Sequence, residues 1–125
     1  MNKKTTNAKL PILPIGSVAQ SLGVHQRTLR IYDKEGILSP KRTEKNRRYY
    51  TLDDFEKAKA IIFLMRNLAF NMAGVKLLFI LMEEKGVKPS EYLSFIEKLA
   101  KIAEISTQTQ EINIVKSSKR GRKKS

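Results

Sequence analysis

Between Ser17 and Gly36 the chain has room for little except two short helices with a tight turn between them. Gly23 ends the first helical pattern and Gly36 the second, each where a helix commonly hands over to a left-handed residue. The spacing predicts a helix over residues 18–22 capped by Ser17, and a second from about 26 to 35. Gly23, Val24 and His25 join them, a helix-turn-helix spacing. Leu29 and Tyr32, with Val24 just ahead, make one buried face of the second helix, while His25, Gln26, Arg27 and Arg30 lie near its start and on its forward face. Ahead of this unit, residues 1–11 read as a flexible basic arm. Residues 12–16 read as an extended lead-in, because Pro14 disfavours helix before it.

After Gly36 the pattern changes. Pro40, a polar centre (Thr43, Glu44, Lys45, Asn46) and the flank Arg47-Arg48-Tyr49-Tyr50 predict a two-stranded hairpin turning near Lys45 and Asn46. Alternation along a strand turns Tyr50 inward and Tyr49 outward. Thr51 is placed to cap a helix whose first turn carries Asp53 and Asp54, where the helix dipole favours acids. Phe55, Ala58, Ile62, Met65 and Ala69 form its apolar stripe. Asn71 caps a fourth helix to about Glu84, apolar nearly all round from Val75 to Met82, which calls for burial on most sides and hence a partner subunit. Its Leu77–Met82 run, with Leu78, Phe79 and Met82 as candidate dimer residues, is either core or dimer interface. Gly86 breaks the chain. Pro89 and Ser90 open a last helix to about Ile105, with an apolar seam of Tyr92, Phe95 or Ile96, Leu99 and Ile102. A helix of about 16 residues is marginal alone, so Tyr92, Ile96, Leu99 and Ile102 are expected to meet a two-fold mate.

The domain plan is therefore a basic arm over 1–11, a helix-turn-helix and hairpin unit over 12–85, a dimerisation helix over 86–106 and a disordered basic tail over 107–125. The fold class is mostly α: a helix-turn-helix with a small β-hairpin wing, two further helices and a short C-terminal dimerisation helix.

Charge separates the function classes. Residues 1–50 hold 11 basic and 3 acidic residues, residues 51–115 hold 8 and 9, and residues 116–125 hold 6 and none, for a net charge of +13. Such segregation points to a polyanionic partner rather than mere solubility. Cysteine is absent and there is one histidine, which excludes thiolate and multi-histidine metal sites. No apolar run reaches the ~18 residues of a membrane span, and the first residues lack the apolar core of a secretory signal. The expectation is a soluble, cytoplasmic, nucleoid-associated chain with no cofactor and no metal. Adjacent Asp53 and Asp54 are explained by capping, and no Ser or Thr has a histidine base at a suggestive spacing, so no enzyme is expected.

Duplex DNA fits the pattern. A helix entering the major groove needs polar side chains in front and apolar ones behind. Arg27 and Arg30 suit guanine, Gln26 suits adenine, and His25 is either a contact or an exposed helix-start residue. Lys41, Arg42, Lys45, Arg47 and Arg48 of the wing suit phosphates or a minor-groove edge, with Tyr49 beside them. The tail Lys119-Arg120-Gly121-Arg122 could enter a minor groove or stay solvated. The rival reading is a nucleoid-associated architectural protein without sequence preference; a third is an adaptor for another protein.

Ile15-Gly16-Ser17-Val18-Ala19, Gly23-Val24, Thr28-Leu29-Arg30, Tyr32-Asp33-Lys34-Glu35-Gly36-Ile37, Pro40, Arg42-Thr43 and Arg48-Tyr49-Tyr50 resemble the MerR family of bacterial transcription regulators. The likeness runs on from Asp54 to Leu78 and covers about half the chain. Asn71-Met72-Ala73-Gly74-Val75 in particular looks like the heat-shock repressor (HspR-like) branch. The resemblance implies a winged helix-turn-helix DNA-binding domain with a two-helix buttress, and a homodimer with an antiparallel dimer helix, bound to an inverted repeat. It implies that Arg27, Arg30 and Tyr32 lie at the phosphates or groove edge, and that Arg48 anchors the wing; Thr28 is a further candidate DNA-binding residue. Tyr32 serves either that face or the core. The branch further implies repression of chaperone genes, with the chaperone DnaK as candidate co-repressor. The chain departs from the pattern in lacking sensor cysteines and a sensor domain, in carrying Ile31 where many members have a second tyrosine, and in its short dimer helix and basic tail.

Overall fold

A computed structural model describes residues 13–106. The arm over 1–11 and the tail over 107–125 lie outside the described residues. In chain order the elements are β1 (Leu13–Pro14), α1 (Ile15–Leu22), α2 (Gln26–Lys34), β2 (Lys41–Arg42), β3 (Arg48–Tyr50), α3 (Leu52–Asn67), α4 (Met72–Glu84) and α5 (Pro89–Ile102). Among the described residues no helix is long and apolar enough to cross a membrane.

The first helix begins three residues earlier than its sequence suggests. Pro14, at φ −72° and ψ 159°, is the N-cap, and Ser17 is an exposed residue of the first turn rather than the cap. One proline ends the strand and opens the helix, since its fixed φ suits both. Gly23 and Gly36 adopt φ of +69° and +79°. The amides behind them turn back on the helices: Val24 N–H donates to Ala19 O at 3.0 Å and Ile37 N–H to Tyr32 O at 3.0 Å.

The hairpin is present, but it belongs to a three-stranded antiparallel sheet in the order β1-β3-β2. The lead-in supplies the extra strand, pairing Leu13 with Tyr50 and Pro14 with Tyr49. Two residues are too few for an alternation to be legible. At the turn, Asn46 takes φ +66°, and the Thr43 hydroxyl accepts from the amides of Lys45 and Arg47 at 3.2 and 3.1 Å.

Thr51 and Asp54 form a reciprocal cap on α3, with Asp54 N–H donating to Thr51 Oγ1 at 2.9 Å and Thr51 N–H to Asp54 Oδ2 at 3.0 Å. The apolar stripe of α3 is rotated from the expected one. Ala58, Ala60, Ile61 and Leu64 are fully buried, Phe55, Ile62 and Met65 are half-buried, and Ala69 is exposed beyond the helix end. The cause is that α3 packs against α5, α4 and β3 together, so its buried face is wider than one stripe.

Asn71 caps α4 as expected, its Oδ1 accepting from Gly74 N–H at 2.8 Å. Within one subunit, however, α4 buries fully only Val75 and Met82, leaving Leu77, Ile80 and Leu81 exposed. The last helix ends at Ile102 rather than Ile105 and lies along α3 of its own chain. The boundary drawn at residue 86 therefore does not separate two packed units.

Tyr50 sits at the centre of the core, fully buried, and its hydroxyl has no hydrogen-bond partner among the described residues. Burial pushes its phenol up to about 12, against the opposing pull of Arg48. The unfolded chain ionises near 10. The stability carried by the neutral phenol is intact below that pH and drains away between about 10 and 12. Tyr50→Phe removes an unsatisfied polar atom, so it is expected to leave stability at pH 7 unchanged or raise it by up to ~1 kcal/mol. It should also lessen the loss of stability near pH 11. Urea denaturation at both pH values checks this, and a clear loss at pH 7 would mean the hydroxyl is bonded after all.

Candidate nucleic-acid interface

The front of α2 is built as its sequence suggests. His25 is the N-cap residue, and it, Gln26, Arg27 and Arg30 are exposed, while Leu29 is fully buried behind them. Thr28 is half-buried. Arg30 donates from a terminal guanidinium nitrogen to Gln26 Oε1 at 3.0 Å, one helical turn back. Tyr32 resolves to the core alternative. It is only 6% exposed and its phenol is raised by burial, with Arg66 opposing, so its ring is not part of the polar face.

On the wing, Lys41, Lys45 and Arg47 are exposed and Tyr49 is half-buried. Arg42 and Arg48 are not free cations. Both donate to the same Asp33 oxygen, Arg42 at 3.0 Å and Arg48 through Nε at 2.8 Å. Arg42 also donates to Asn46 Oδ1 at 3.0 Å, tying the wing's strand to its turn. One carboxylate of α2 thus holds both wing strands. The Asp33 and Arg48 side chains are 15% and 20% exposed, so this charge-assisted bond falls in the range of ~1.5–3 kcal/mol. The Arg42 bond, with its guanidinium 39% exposed, is nearer the ~0–1 kcal/mol of a surface pair.

Asp33 is the functional residue that sequence reasoning left out of the site. It stood within the quoted motif, but its partners lie nine and fifteen residues on. An acid on an otherwise basic face was the one available signal.

The clamp brings helix and wing around one surface. A depression of about 410 Å³ is lined by Arg30, Arg47, Arg48 and Tyr49 together with Ile15 and Gly16 at the start of α1. It shares Arg30 with a neighbouring hollow formed by His25, Gln26 and Arg27. It shares Arg47 and Tyr49 with another at the wing tip, beside Lys45 and Glu44. Of the twelve residues expected to face DNA, all but Tyr32 are exposed or half-buried, and eight of them, His25, Gln26, Arg27, Arg30, Lys45, Arg47, Arg48 and Tyr49, line these adjoining hollows.

The residues expected to face a second subunit divide differently. Met82, Tyr92 and Ile96 are buried inside the subunit, and Leu78 and Phe79 are half-buried. Tyr92 packs its ring against Phe79, centroids 5.0 Å apart. These positions serve the subunit's own core because α5 lies on α3. Leu99 and Ile102 remain outside, 40% and 69% exposed, joined by Leu77, Ile80, Leu81 and Ile105.

Residues 13–79 match the family described as MerR HTH family regulatory protein. The chain is 32% identical over 97 residues to the HTH-type transcriptional regulator GlnR of Bacillus anthracis, covering 76% of this chain and 74% of that one. It is 38% identical over 66 residues to the putative heat shock protein HspR of Streptomyces coelicolor, covering 53% of this chain and 44% of the relative. Among solved structures it resembles a MerR-family transcriptional regulator from Bacillus cereus, with TM-score 0.50, 22% identity and coverage of 88% and 86% of the two chains. That last likeness is one of fold.

Proposed function

The chain belongs to the MerR family of helix-turn-helix regulatory proteins, and from that membership we propose that it binds duplex DNA as a homodimer, reads an inverted repeat and represses transcription from it. It is a regulator and not an enzyme, as its relatives are. The observation that carries the reading is the clamp at Asp33, which sets the wing cations beside Arg30 of α2. Cations placed at random would suffice for unspecific affinity. A helix and a wing held in fixed register are what sequence reading needs, with phosphate contacts for position and helix side chains for bases.

Two identical subunits impose two-fold symmetry on the site they read. The apolar residues left exposed on α4 and α5 are the surfaces for the mate. The heat-shock target rests on the likeness of residues 71–75 to the HspR-like branch and on the partial alignment with HspR. The GlnR likeness extends over more of the chain. A chaperone such as DnaK as co-repressor belongs with the heat-shock target and stands or falls with it.

The test is selection of duplexes from a random library at roughly physiological salt, where unspecific affinity is weak. Enrichment of an inverted repeat is expected. A reporter driven by a promoter carrying that repeat should fall on expression of the protein. Binding without enrichment would favour the architectural reading, and a rise in the reporter would reverse the sign of regulation.

A further inference from the structure

Resting on the DNA-reading role above, we propose that Gln26 and Arg30 act as one reading unit that offers only donors, and that its target is the acceptor edge of a guanine. The argument begins with the bond between them, Arg30 to Gln26 Oε1 at 3.0 Å. A guanidinium has five N–H donors and no acceptor. The atom turned toward it must therefore be the carbonyl oxygen. The orientation of a glutamine amide is ordinarily ambiguous; here the chemistry of Arg30 sets it.

The consequence reverses what Gln26 promises in isolation. Glutamine reads adenine with its oxygen accepting from N6 and its nitrogen donating to N7. In this chain the oxygen is already engaged, and a positive guanidinium beside it disfavours a second donor such as the adenine amino group. What remains unpaired is the Gln26 Nε2 amine and the unused N–H groups of Arg30. Guanine presents two adjacent acceptors, N7 and O6, in the major groove. Residues four apart share one helix face, so the pair can meet one base or two stacked ones.

The Gln26 amide rests beside the start of α1, its Nε2 at an ordinary contact distance, 3.4 Å, from where a Cβ of Gly16 would stand. Among the described residues Arg30 forms no ion pair, because Asp33 is taken by Arg42 and Arg48. Gln26 is then a positioning residue for Arg30 as well as a contact. It is a chain-specific determinant of the sequence read.

The full-length protein and the duplex found by selection test this. A guanine is expected at one position of each half-site, and 7-deazaguanine there, lacking N7, should weaken binding roughly tenfold. Gln26→Leu should cut the guanine-over-adenine preference at that position by about tenfold while the slope of affinity against salt stays the same. In an Arg30→Ala background the same Gln26→Leu change should do little more. An adenine preference that Gln26→Leu abolishes and Arg30→Ala spares would overturn the proposal, as would a guanine preference untouched by Gln26→Leu. Binding with no enriched motif would defeat the sequence-reading role itself, and this inference with it.

Discussion

Asp33→Ala is expected to collapse the ratio of specific to unspecific DNA affinity by roughly 10- to 100-fold, while the helices stay folded. Two effects oppose each other in this variant. The change raises the net charge above +13 and releases Arg42 and Arg48, so long-range attraction to phosphate increases. It also removes the carboxylate that ties both wing strands to α2, at 3.0 and 2.8 Å. The Coulombic gain is sequence-independent and is screened by salt. The loss falls on register, which only the specific complex uses. Unspecific binding should therefore hold or strengthen and specific binding should fall. Titration of the selected duplex and a scrambled one at two salt concentrations separates the two terms. An unchanged ratio would show that the wing finds its place without Asp33.

Local chemistry was legible in the sequence and long-range pairing was not. Gly23 and Gly36 marked the ends of α1 and α2 because few other residues suit the left-handed conformation they adopt. Thr51 and Asn71 marked helix starts because each cap is completed within three residues. The basic face of α2 and the wing followed from spacing alone. Apart from helix ends such as the Pro14 cap of α1, the missed features join distant residues. β1 is a strand only because β3 pairs with it, and the clamp exists only because folding brings residues 42 and 48 to residue 33. Tyr32 could face either way until the position of the core was known. The seam of α5 was read correctly as apolar, but its Tyr92 and Ile96 pack within the subunit while Leu99 and Ile102 stay exposed, since periodicity shows which face is apolar but not what covers it. The apolar surplus of α4 did carry a message. Leu77, Ile80 and Leu81 are more than the subunit can cover.

That split along α5 sets up a paired test. Ile96 is 2% exposed and packed in the subunit core; Ile102, about two turns on, is 69% exposed. A charge at the first position must be desolvated among apolar neighbours, and the displaced side chain itself was worth ~2–5 kcal/mol. Ile96→Asp is therefore expected to unfold the protein, or nearly so, given a typical stability of ~5–15 kcal/mol. Ile102→Asp loses little within the subunit and should keep its thermal midpoint at high dilution. Its cost is expected on association, where a charge would have to be desolvated at the proposed subunit interface. Sedimentation should show the dimer weakened at least tenfold, and affinity for the inverted repeat should fall while affinity for a single half-site does not. Leu99→Asp, at 40% exposure, should lie between the two, since it faces both neighbours. If Ile102→Asp leaves the dimer intact, the mate sits instead on the exposed face of α4, and Ile80→Asp becomes the variant that separates the subunits.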